Sequence, residues 1–209
     1  MTHIYHITHI NNLPSIIEAG GLWCDAKVNS GEVSAMGIAH EHIKEHRRSR
    51  NVDLAPGGNL CDYVPFYFAP RSPMLYAIHK GYVEGYHGGQ DDILHLEAQL
   101  EQIIQCGLPY VFSDGHAVIR ISKFFNDLKY LKEIDWGLMK STYWNDTQED
   151  SDRKRKRQAE FLVHNFFPWE LVTKIGVRLP KTQTQVRDII EQKSKDHHPI
   201  IEIKREWYY

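Results

Sequence analysis

Five consecutive cationic side chains at positions 153–157 stand directly before the segment Gln158-Ala-Glu-Phe-Leu-Val163. Like charges at this spacing repel one another, so the run needs water or a polyanion around it. The apolar residues that follow predict a strand, and Glu160 lies at its threshold. That placement suits a carboxylate aimed into a cleft whose rim attracts phosphate. The alternative is a solvated basic loop followed by a strand with one surface glutamate.

The rest of the chain alternates short strand-like and helical patterns with glycine and proline breaks. Residues 4–10 alternate as a strand does, and Leu13, Ile16 and Ile17 follow at helical spacing. Residues 136–157 show little regular spacing of apolar side chains, which predicts a long loop. The pattern of residues 93–104 does not distinguish a strand from a helix. Further predicted elements are helices over 38–50, 74–79, 124–131 and 183–193 and strands over 63–68, 110–112, 117–121, 161–163, 172–178 and 200–203.

This order of elements predicts a mixed α+β fold with short strands and long loops. The hydrophobic fraction of 42% is sufficient for a core of ordinary size. We find no repeat and no low-complexity linker, so we expect one domain over residues 1–209. Pro65, within the strand-like residues 63–68, indicates a sheet edge or the start of a strand.

Composition excludes several classes of protein. The three cysteines are far apart and form no CxxC pair, which disfavours a disulfide framework or a zinc knuckle and favours the reducing cytoplasm. The first residues lack the basic and apolar regions of a signal peptide, and no apolar run reaches the roughly 20 residues of a membrane helix. The GxGxxG, GxxxxGK[ST] and GxSxG motifs are absent, which disfavours Rossmann dehydrogenases, P-loop hydrolases and α/β-hydrolases.

The net charge of −2 does not by itself indicate a nucleic-acid-binding protein, but the basic residues are concentrated. The helix predicted over 38–50 carries the second basic run, with Arg47, Arg48 and Arg50 near its end. Guanidinium groups match phosphate oxygens, so phosphate binding is one interpretation and a solvated helix end is the other. The same helix holds histidines that suggest a metal site, but the glutamate of a zinc-protease motif is missing: His40, His42 and His46.

Three further segments carry groups suited to a ligand. The opening strand presents imidazoles and hydroxyls, which bind ribose or amide groups without adding charge. The aromatic string over residues 63–76 stands beside Arg71 and could stack a base or a nicotinamide ring, although most of its rings are expected in the core. His116 stands in a predicted tight turn at residues 113–117, as either a functional or a structural residue.

Taken together, these segments resemble one family. Tyr-His-Ile-Thr-His-x-x-Asn-Leu, Tyr-Val-Pro-Phe-Tyr-Phe-x-Pro-Arg-Ser-Pro-Met-Leu-Tyr, Ser-Asp-Gly-His-Ala and Gln-Ala-Glu-Phe-Leu-Val occur in the order found in the DarT family of DNA ADP-ribosyltransferase toxins. The resemblance covers about residues 4–180. It implies an ADP-ribosyltransferase fold related to poly(ADP-ribose) polymerases, with a split β-sheet and NAD⁺ bound in the cleft as co-substrate, without a metal.

The resemblance also implies an activity and a partner. The family transfers ADP-ribose to thymine, or in some branches guanine, in single-stranded DNA within a short sequence context. A macrodomain antitoxin, encoded as a separate protein, removes the modification.

The family's functional residues fall on several positions of this chain. Its catalytic glutamate corresponds to Glu160. Its second catalytic residue, an arginine at the end of the NAD⁺-binding element (residues 35–53), aligns with Asn51, and the preceding Arg50 is the other candidate. The resemblance places NAD⁺ contacts at His6, Thr8, His9, Ile10, Ile17, Asp25, Arg47 and Arg48. It places DNA contacts in or near residues 114–160, at Arg71, His116, Arg153, Lys154, Arg155, Lys156 and Arg157.

Other functions remain open from the sequence. The nearest is an ADP-ribosyltransferase acting on RNA or protein, since only the acceptor would differ. A non-catalytic nucleic-acid-binding module would bind DNA and leave NAD⁺ intact. A metal hydrolase built on the histidines of residues 38–50 would be sensitive to chelators.

Overall fold

The computed structural model describes residues 1–29 and 41–209. The α-helices of these ranges are α1 (Leu13–Glu18), α2 (Asp25–Asn29), α3 (Glu41–Ser49), α4 (Pro73–His79), α5 (Leu100–Gln105), α6 (Trp136–Lys140), α7 (Arg153–Lys156) and α8 (Pro180–Lys193). The strands are β1 (His3–His9), β2 (Gly21–Trp23), β3 (Tyr63–Tyr67), β4 (Ile93–Gln99), β5 (Tyr110–His116), β6 (Phe124–Phe125), β7 (Ala159–His164), β8 (Phe166–Pro168), β9 (Val172–Val177) and β10 (Ile200–Ile203). Short 3₁₀ helices occur at Ile10–Asn12, Leu60–Asp62, Leu128–Glu133, Trp169–Leu171 and Arg205–Trp207.

Eight strands of the described chain form one mixed sheet in the order β10-β9-β4-β1-β3-β7-β5-β6. Strands β9 and β10 run parallel, and the other neighbouring pairs run antiparallel. Strands β2 and β8 form a separate antiparallel pair. The predicted α+β class is confirmed, with the helices distributed around a large sheet.

The sheet is divided near its middle, between β1 and β3. These strands share one paired position, Tyr5 with Tyr67, whereas β1 pairs with β4 along its whole length. Past that position the His6 ring contacts β3, with Nδ1 2.8 Å from the carbonyl oxygen of Pro65. The N–H and C=O of one strand residue face the same neighbour, and proline has no N–H. Pro65 therefore leaves no unpaired donor at the gap.

The position of Pro65 corrects the sequence interpretation. It pairs with Leu162 in an interior strand, not at the edge or start of one. A proline is tolerated there because the sheet opens on the side where its N–H would be needed.

Three apolar clusters pack on the sheet, one of them around Tyr63 of β3, Val111 of β5 and Leu162 of β7. The other two differ in size. The larger contains Ile4, Phe66 and Phe161 from the strands together with Val186 and Ile190 of α8. The smaller contains, among others, Ile7 and Ile93 of the sheet, Leu75 and Ile78 of α4, and Tyr208. Because both faces are covered, β4 is buried along almost its whole length. No helix of the described residues is long and apolar enough to span a membrane.

Several local predictions need correction. Residues 93–104 divide into strand β4 and helix α5. The helix predicted over 124–131 is instead β6 followed by a 3₁₀ turn, and residues 117–121, predicted as a strand, form a turn. Residues 113–116, predicted as a turn, belong to β5, and the loop predicted over 136–157 contains α6 and α7. The predicted helix over 38–50 is α3 from Glu41, and its earlier residues lie outside the described ranges.

His95 of β4 is a buried histidine in the middle of this sheet. It is 0% exposed, and its Nε2 lies 3.0 Å from the carbonyl oxygen of Pro70. Tyr208 and Trp207 pack against the ring in T-shaped arrangements. Burial lowers the pKa of His95 to about 4, although the Pro70 carbonyl opposes that shift. The imidazole is therefore neutral in the folded protein near pH 7.

We expect the free energy of unfolding to decrease as the pH falls from about 6.5 towards 4. The unfolded chain takes up a proton at His95 over that range while the folded chain does not. In His95→Gln this proton uptake is lost. The slope of the unfolding free energy against pH should therefore decrease by up to about 1.4 kcal/mol per pH unit. Urea unfolding at a series of pH values measures both slopes. Equal slopes for the two proteins would show that His95 does not carry the dependence.

Candidate active site

Glu160 lies on β7 where the neighbouring strand β5 departs from regular pairing. Phe112 pairs with Phe161 and His116 with Ala159, so residues 113–115 bulge opposite Glu160. Bulges re-aim the chain and are common beside functional sites. On its other side Glu160 pairs with Tyr67 of β3. Glu160 is only 3% exposed.

Helix α3 brings Arg47 to this carboxylate. Arg47 Nη1 donates to Glu160 Oε2 at 2.9 Å, and Nη2 donates to the carbonyl oxygen of Leu60 at 3.1 Å. Asp25 Oδ2 lies 3.7 Å from Nε. Burial lowers the pKa of Arg47, but the Glu160 and Asp25 carboxylates outweigh it and raise that pKa above its usual value. The guanidinium thus stays charged and compensates the buried carboxylate.

The second oxygen of the carboxylate is held by the backbone. The N–H of Ala117 donates to Glu160 Oε1 at 3.2 Å. The N–H of Glu160 donates to Ser113 Oγ at 3.2 Å, and that hydroxyl donates to the Gly115 carbonyl at 2.6 Å. A carboxylate has about four acceptor positions, and these contacts fill two of them. The group is fixed in place and can still accept a hydrogen bond from a substrate hydroxyl.

Two further titratable side chains interact with Glu160. Burial, followed by the Glu160 charge, raises the pKa of Tyr67. Burial lowers the pKa of His116, Glu160 opposes this shift and Arg47 adds to it. Tyr67 therefore keeps its hydroxyl proton and His116 is neutral near pH 7. The charge at the centre of the site consequently comes from Glu160, Arg47 and Asp25.

The end of β1 supplies buried, uncharged polar groups. Thr8 and His9 are 5% and 7% exposed. Asn12 Nδ2 donates to Thr8 Oγ1 at 3.1 Å, and the N–H of Asn11 donates to His9 Nδ1 at 3.1 Å. A neutral His9 ring that accepts at Nδ1 carries its proton on Nε2. Burial lowers the pKa of His9, which favours this neutral form.

The two positions expected to supply the second catalytic residue are not bonded to Glu160. Arg50 donates to the carbonyl oxygens of Ala117 and Ser122, each at 3.3 Å, and its guanidinium lies over the Phe124 ring. Asn51 is exposed and forms an isolated bridge with Asn59. Arg47, which was expected to bind NAD⁺ or phosphate, occupies the place beside the carboxylate.

The remaining residues expected at NAD⁺ are dispersed. Ile17 belongs to the larger core cluster. Arg48 is exposed on α3, and the N–H of Ile10 donates to the Asp92 carbonyl. His6 lies against Pro65, and burial lowers its pKa.

The basic run at 153–157 is largely tied to the protein, which the sequence did not predict. Arg157 is 4% exposed and donates to the carbonyl oxygens of Leu138, Met139 and Arg71. The other four cations have acidic or carbonyl partners: Arg153 with the Asn145 and Tyr143 carbonyls, Lys154 with Asp146, Arg155 with Asp152 and Asp114, and Lys156 with Asp150. Of the five side chains, that of Lys154 is the most exposed to solvent.

Arg71, predicted to contact DNA, also has an internal role. Its Nε donates to the Tyr208 carbonyl at 2.8 Å, and its guanidinium lies over the Tyr209 ring. The predicted basic surface thus contains three guanidinium groups, those of Arg71, Arg153 and Arg157, that bind the protein's own backbone.

Sequence reasoning did not identify three components of the site: the Tyr67 hydroxyl, the Ser113 hydroxyl and the Ala117 N–H. Tyr67 was expected in the core together with the other aromatic residues of its segment. The Ala117 contact depends on the bulge in β5, for which the sequence has no marker except Gly115. A Cβ at Gly115 would collide with the Arg155 guanidinium and lie 2.9 Å from the Arg155 carbonyl oxygen, so a larger residue would displace α7.

The histidine-based metal site cannot be placed as a whole. His40 and the side chain of His42 lie outside the described residues, and His46 is exposed on α3. In the described part of the chain, no group of three or more His, Cys, Asp or Glu residues is arranged to hold a metal ion.

Sequence comparisons agree with the motifs. The model of the family described as "ssDNA thymidine ADP-ribosyltransferase, DarT" matches residues 5–209. A DNA ADP-ribosyl transferase of Thermus aquaticus is 44% identical over 208 residues, covering 100% of this chain and 89% of that protein. A DNA ADP-ribosyl transferase–DNA ADP-ribosyl glycohydrolase fusion protein of Thermosipho africanus is 30% identical over 162 residues, covering 77% of this chain and 38% of the fusion.

Solved structures resemble the whole chain. The DarT of Thermus sp. 2.9 in complex with ADP-ribosylated single-stranded DNA superimposes with a TM-score of 0.93 at 42% identity, covering 100% of this chain and 96% of that one. The same protein in complex with NAD⁺ gives a TM-score of 0.88 at 40% identity, covering 100% and 98%. On this match over nearly its full length, the chain belongs to the DarT family of single-stranded-DNA thymidine ADP-ribosyltransferases.

Proposed function

We propose that this protein is a toxin that transfers ADP-ribose from NAD⁺ to thymidine in single-stranded DNA, within a short sequence context. The observation that carries the proposal is the buried carboxylate of Glu160, held by Arg47 at one oxygen and by the Ala117 N–H at the other. The NAD⁺ and ADP-ribosylated DNA complexes of the Thermus sp. 2.9 relative support both substrates. The description of the matching family supports thymidine as the acceptor.

Glu160 would act at the ribose of NAD⁺. Nicotinamide leaves with the electron pair of its bond to C1′, and the ribose then gains oxocarbenium character. A carboxylate that accepts a hydrogen bond from the 2′-hydroxyl stabilises this positive charge. Because Glu160 is already fixed by two contacts, little reorganisation is needed as the charge develops.

The thymine ring nitrogen is a poor nucleophile while it is protonated. It must give up its proton as its electron pair forms the new bond to C1′. Glu160 would accept that proton, because the same carboxylate acts at the neighbouring ribose. Arg47 supplies a positive charge that would stabilise the deprotonated base.

The end of β1 is suited to the uncharged parts of NAD⁺. The Nε2–H of His9 would donate to amide or ribose oxygens, and the hydroxyl of Thr8 could donate to or accept from the same groups. His6 and Ile10 lie on the same segment. Asp25, Arg48 and Ile17 stay candidates from the family resemblance, with Asp25 acting through Arg47.

The DNA strand would be held through its phosphates by cations at the protein surface. Arg48 and Lys154 are exposed, whereas Arg153 and Lys156 are partly exposed and His116 lies nearer the carboxylate. The target base must be unstacked or already single-stranded to reach the reacting ribose. We therefore expect weak action on duplex DNA.

We also propose that a macrodomain antitoxin, acting as an ADP-ribosyl hydrolase, removes the modification in the cytoplasm. The Thermosipho africanus relative supports this pairing, because it is described as a fusion of a transferase with a DNA ADP-ribosyl glycohydrolase. Coexpression of such a hydrolase should restore growth of cells that produce this protein. A failure to restore growth while the DNA is stripped of ADP-ribose would argue against DNA as the toxic target.

Replacing Glu160 by glutamine should reduce transfer by at least about 10³-fold, because the stabilising charge at the ribose is lost. The affinity for NAD⁺ should change by no more than about threefold, since the carboxylate acts mainly in the transition state. Mass spectrometry of an oligonucleotide of mixed sequence measures the transfer, and calorimetry measures NAD⁺ binding. Glu170→Gln is the matched exposed control. Ordinary turnover by Glu160→Gln would refute the assignment.

Arg47→Lys should lower kcat by about 10²-fold, because one ammonium group cannot contact Glu160, the Leu60 carbonyl and Asp25 together. Asn51→Arg should leave the rate unchanged, since position 51 is exposed and pairs with Asn59. Single-turnover assays with saturating NAD⁺ measure the rate of transfer for both variants. A gain of activity in Asn51→Arg would instead place the second catalytic residue at position 51.

Binding of single-stranded DNA should weaken as salt is added, with a slope of log K against log[salt] of about −0.7 for each phosphate contact. Lys154→Gln should make that slope less steep by about 0.7. Lys181→Gln, on an exposed position of α8, is the matched control. Fluorescence anisotropy over a range of salt concentrations measures the slopes. A flat salt response of the unmodified protein would exclude phosphate contacts as the source of affinity.

A further inference from the structure

Arg155 of α7 is enclosed by the protein's own acceptors. Its Nε and Nη2 donate to the two carboxylate oxygens of Asp152, both at 2.7 Å. Its Nη1 donates to Asp114 Oδ1 at 2.9 Å and to Ser122 Oγ at 3.0 Å. Four of the five N–H donors of an arginine are thereby used, and the side chain is 14% exposed. No bidentate fork remains for a phosphate.

The partners of Arg155 lie on both sides of the residues that hold Glu160. Asp114 is in the bulge of β5, and Ser122 ends the turn over residues 116–122, which we call the amide turn. Ser122 Oγ closes this turn by donating to the His116 carbonyl at 2.8 Å. The Ala117 N–H within it donates to Glu160.

Arg50 holds the amide turn from a second element. It donates to the Ala117 carbonyl and to the Ser122 carbonyl. Two guanidinium groups, one following α3 and one on α7, therefore bind the same seven residues. The carbonyl and the N–H of Ala117 are engaged by Arg50 and Glu160 respectively.

We infer that Arg155 and Arg50 are positioning residues, which hold the amide turn so that the Ala117 N–H meets the Glu160 carboxylate. The inference rests on the proposed function, in which Glu160 acts at the ribose. Without the turn, the carboxylate would keep Arg47 as its side-chain partner and could rotate about that contact. A shift of about 1 Å in such a group can cost about 10²-fold in rate. Arg155 is then not a contact to DNA phosphate, although it stands in the basic run.

Kinetics of two variants separate positioning from phosphate binding. Arg155→Gln and Ser122→Ala should each lower kcat, the first by about ten- to a hundredfold, and leave the KM for DNA within about twofold. The salt dependence of binding should not change in either. Ser122→Ala alters no charge, so it tests the turn independently of electrostatics. Arg187→Gln, at an exposed position of α8, controls for the loss of one arginine.

The opposite pattern would overturn the inference. If Arg155→Gln raises KM for DNA and makes the salt slope less steep while kcat is unchanged, Arg155 is a phosphate contact. A conservative Arg155→Lys should recover only part of kcat, because an ammonium cannot bridge Asp152, Asp114 and Ser122 at once. Full recovery by lysine would show that charge alone matters.

Amide hydrogen exchange tests the same geometry without any turnover. The Ala117 N–H should exchange at least about tenfold faster in Arg155→Gln than in the unmodified protein or Arg187→Gln, while amides of β4 keep their protection. Unchanged protection of Ala117 would overturn the inference. If the unmodified protein transfers no ADP-ribose, the proposed function fails, and the exchange of Ala117 still decides whether Arg155 holds the turn.

Discussion

The ion pair between Arg47 and Glu160 is the interaction on which the rest of the site depends. Each charge is buried, and a single buried charge without a partner costs several kcal/mol. The pair avoids that cost only if the two elements that carry it stay together. Arg47 also bonds to the Leu60 carbonyl and lies near Asp25. Helix α3, helix α2, the 3₁₀ turn at Leu60–Asp62 and β7 are therefore connected through one guanidinium group.

The sheet has two irregularities close to β7, the strand that carries Glu160. The gap between β1 and β3 opens the middle of the sheet, and Pro65 keeps the gap free of an unpaired donor. The bulge in β5 lets the chain turn so that the Ala117 N–H points to the carboxylate. A regular sheet would pair those backbone groups with one another and leave Glu160 with Arg47 alone. The irregular part of the sheet and the proposed catalytic carboxylate thus coincide.

Much of the architecture was predictable because it follows from local periodicity. Strand β1, the helix after it, strand β9, helix α8 and the α+β class all follow from apolar spacing. The position of Glu160 before an apolar strand made it a candidate, with a surface glutamate as the alternative, and the family resemblance then assigned it the catalytic role. The turn at residues 117–121 was not predictable, since Ile119 and Ile121 suggest a strand while both are exposed in the structure.

The sequence pattern did not predict which arginine side chains are buried and which contact the site. Arg47 and Arg50 are one helical turn apart, so spacing alone does not decide which of them faces the sheet. The end of α3 at Ser49 decides it, because Arg50 then follows a different path and binds the amide turn. The sequence of residues 153–157 shows five similar cations. The structure nevertheless buries Arg157, because three backbone carbonyl groups accept hydrogen bonds from it. Such convergence depends on distant parts of the chain.

The most direct test of this account is a crystal structure of the protein with a non-hydrolysable analogue of NAD⁺. The account predicts that the 2′-hydroxyl of the nicotinamide ribose lies within hydrogen-bond distance of the Glu160 carboxylate, about 2.5–3.0 Å. Arg47 and the Ala117 N–H should keep their contacts to that carboxylate. An analogue bound with its ribose away from Glu160, or bound only after the Arg47–Glu160 pair has separated, would contradict the central claim.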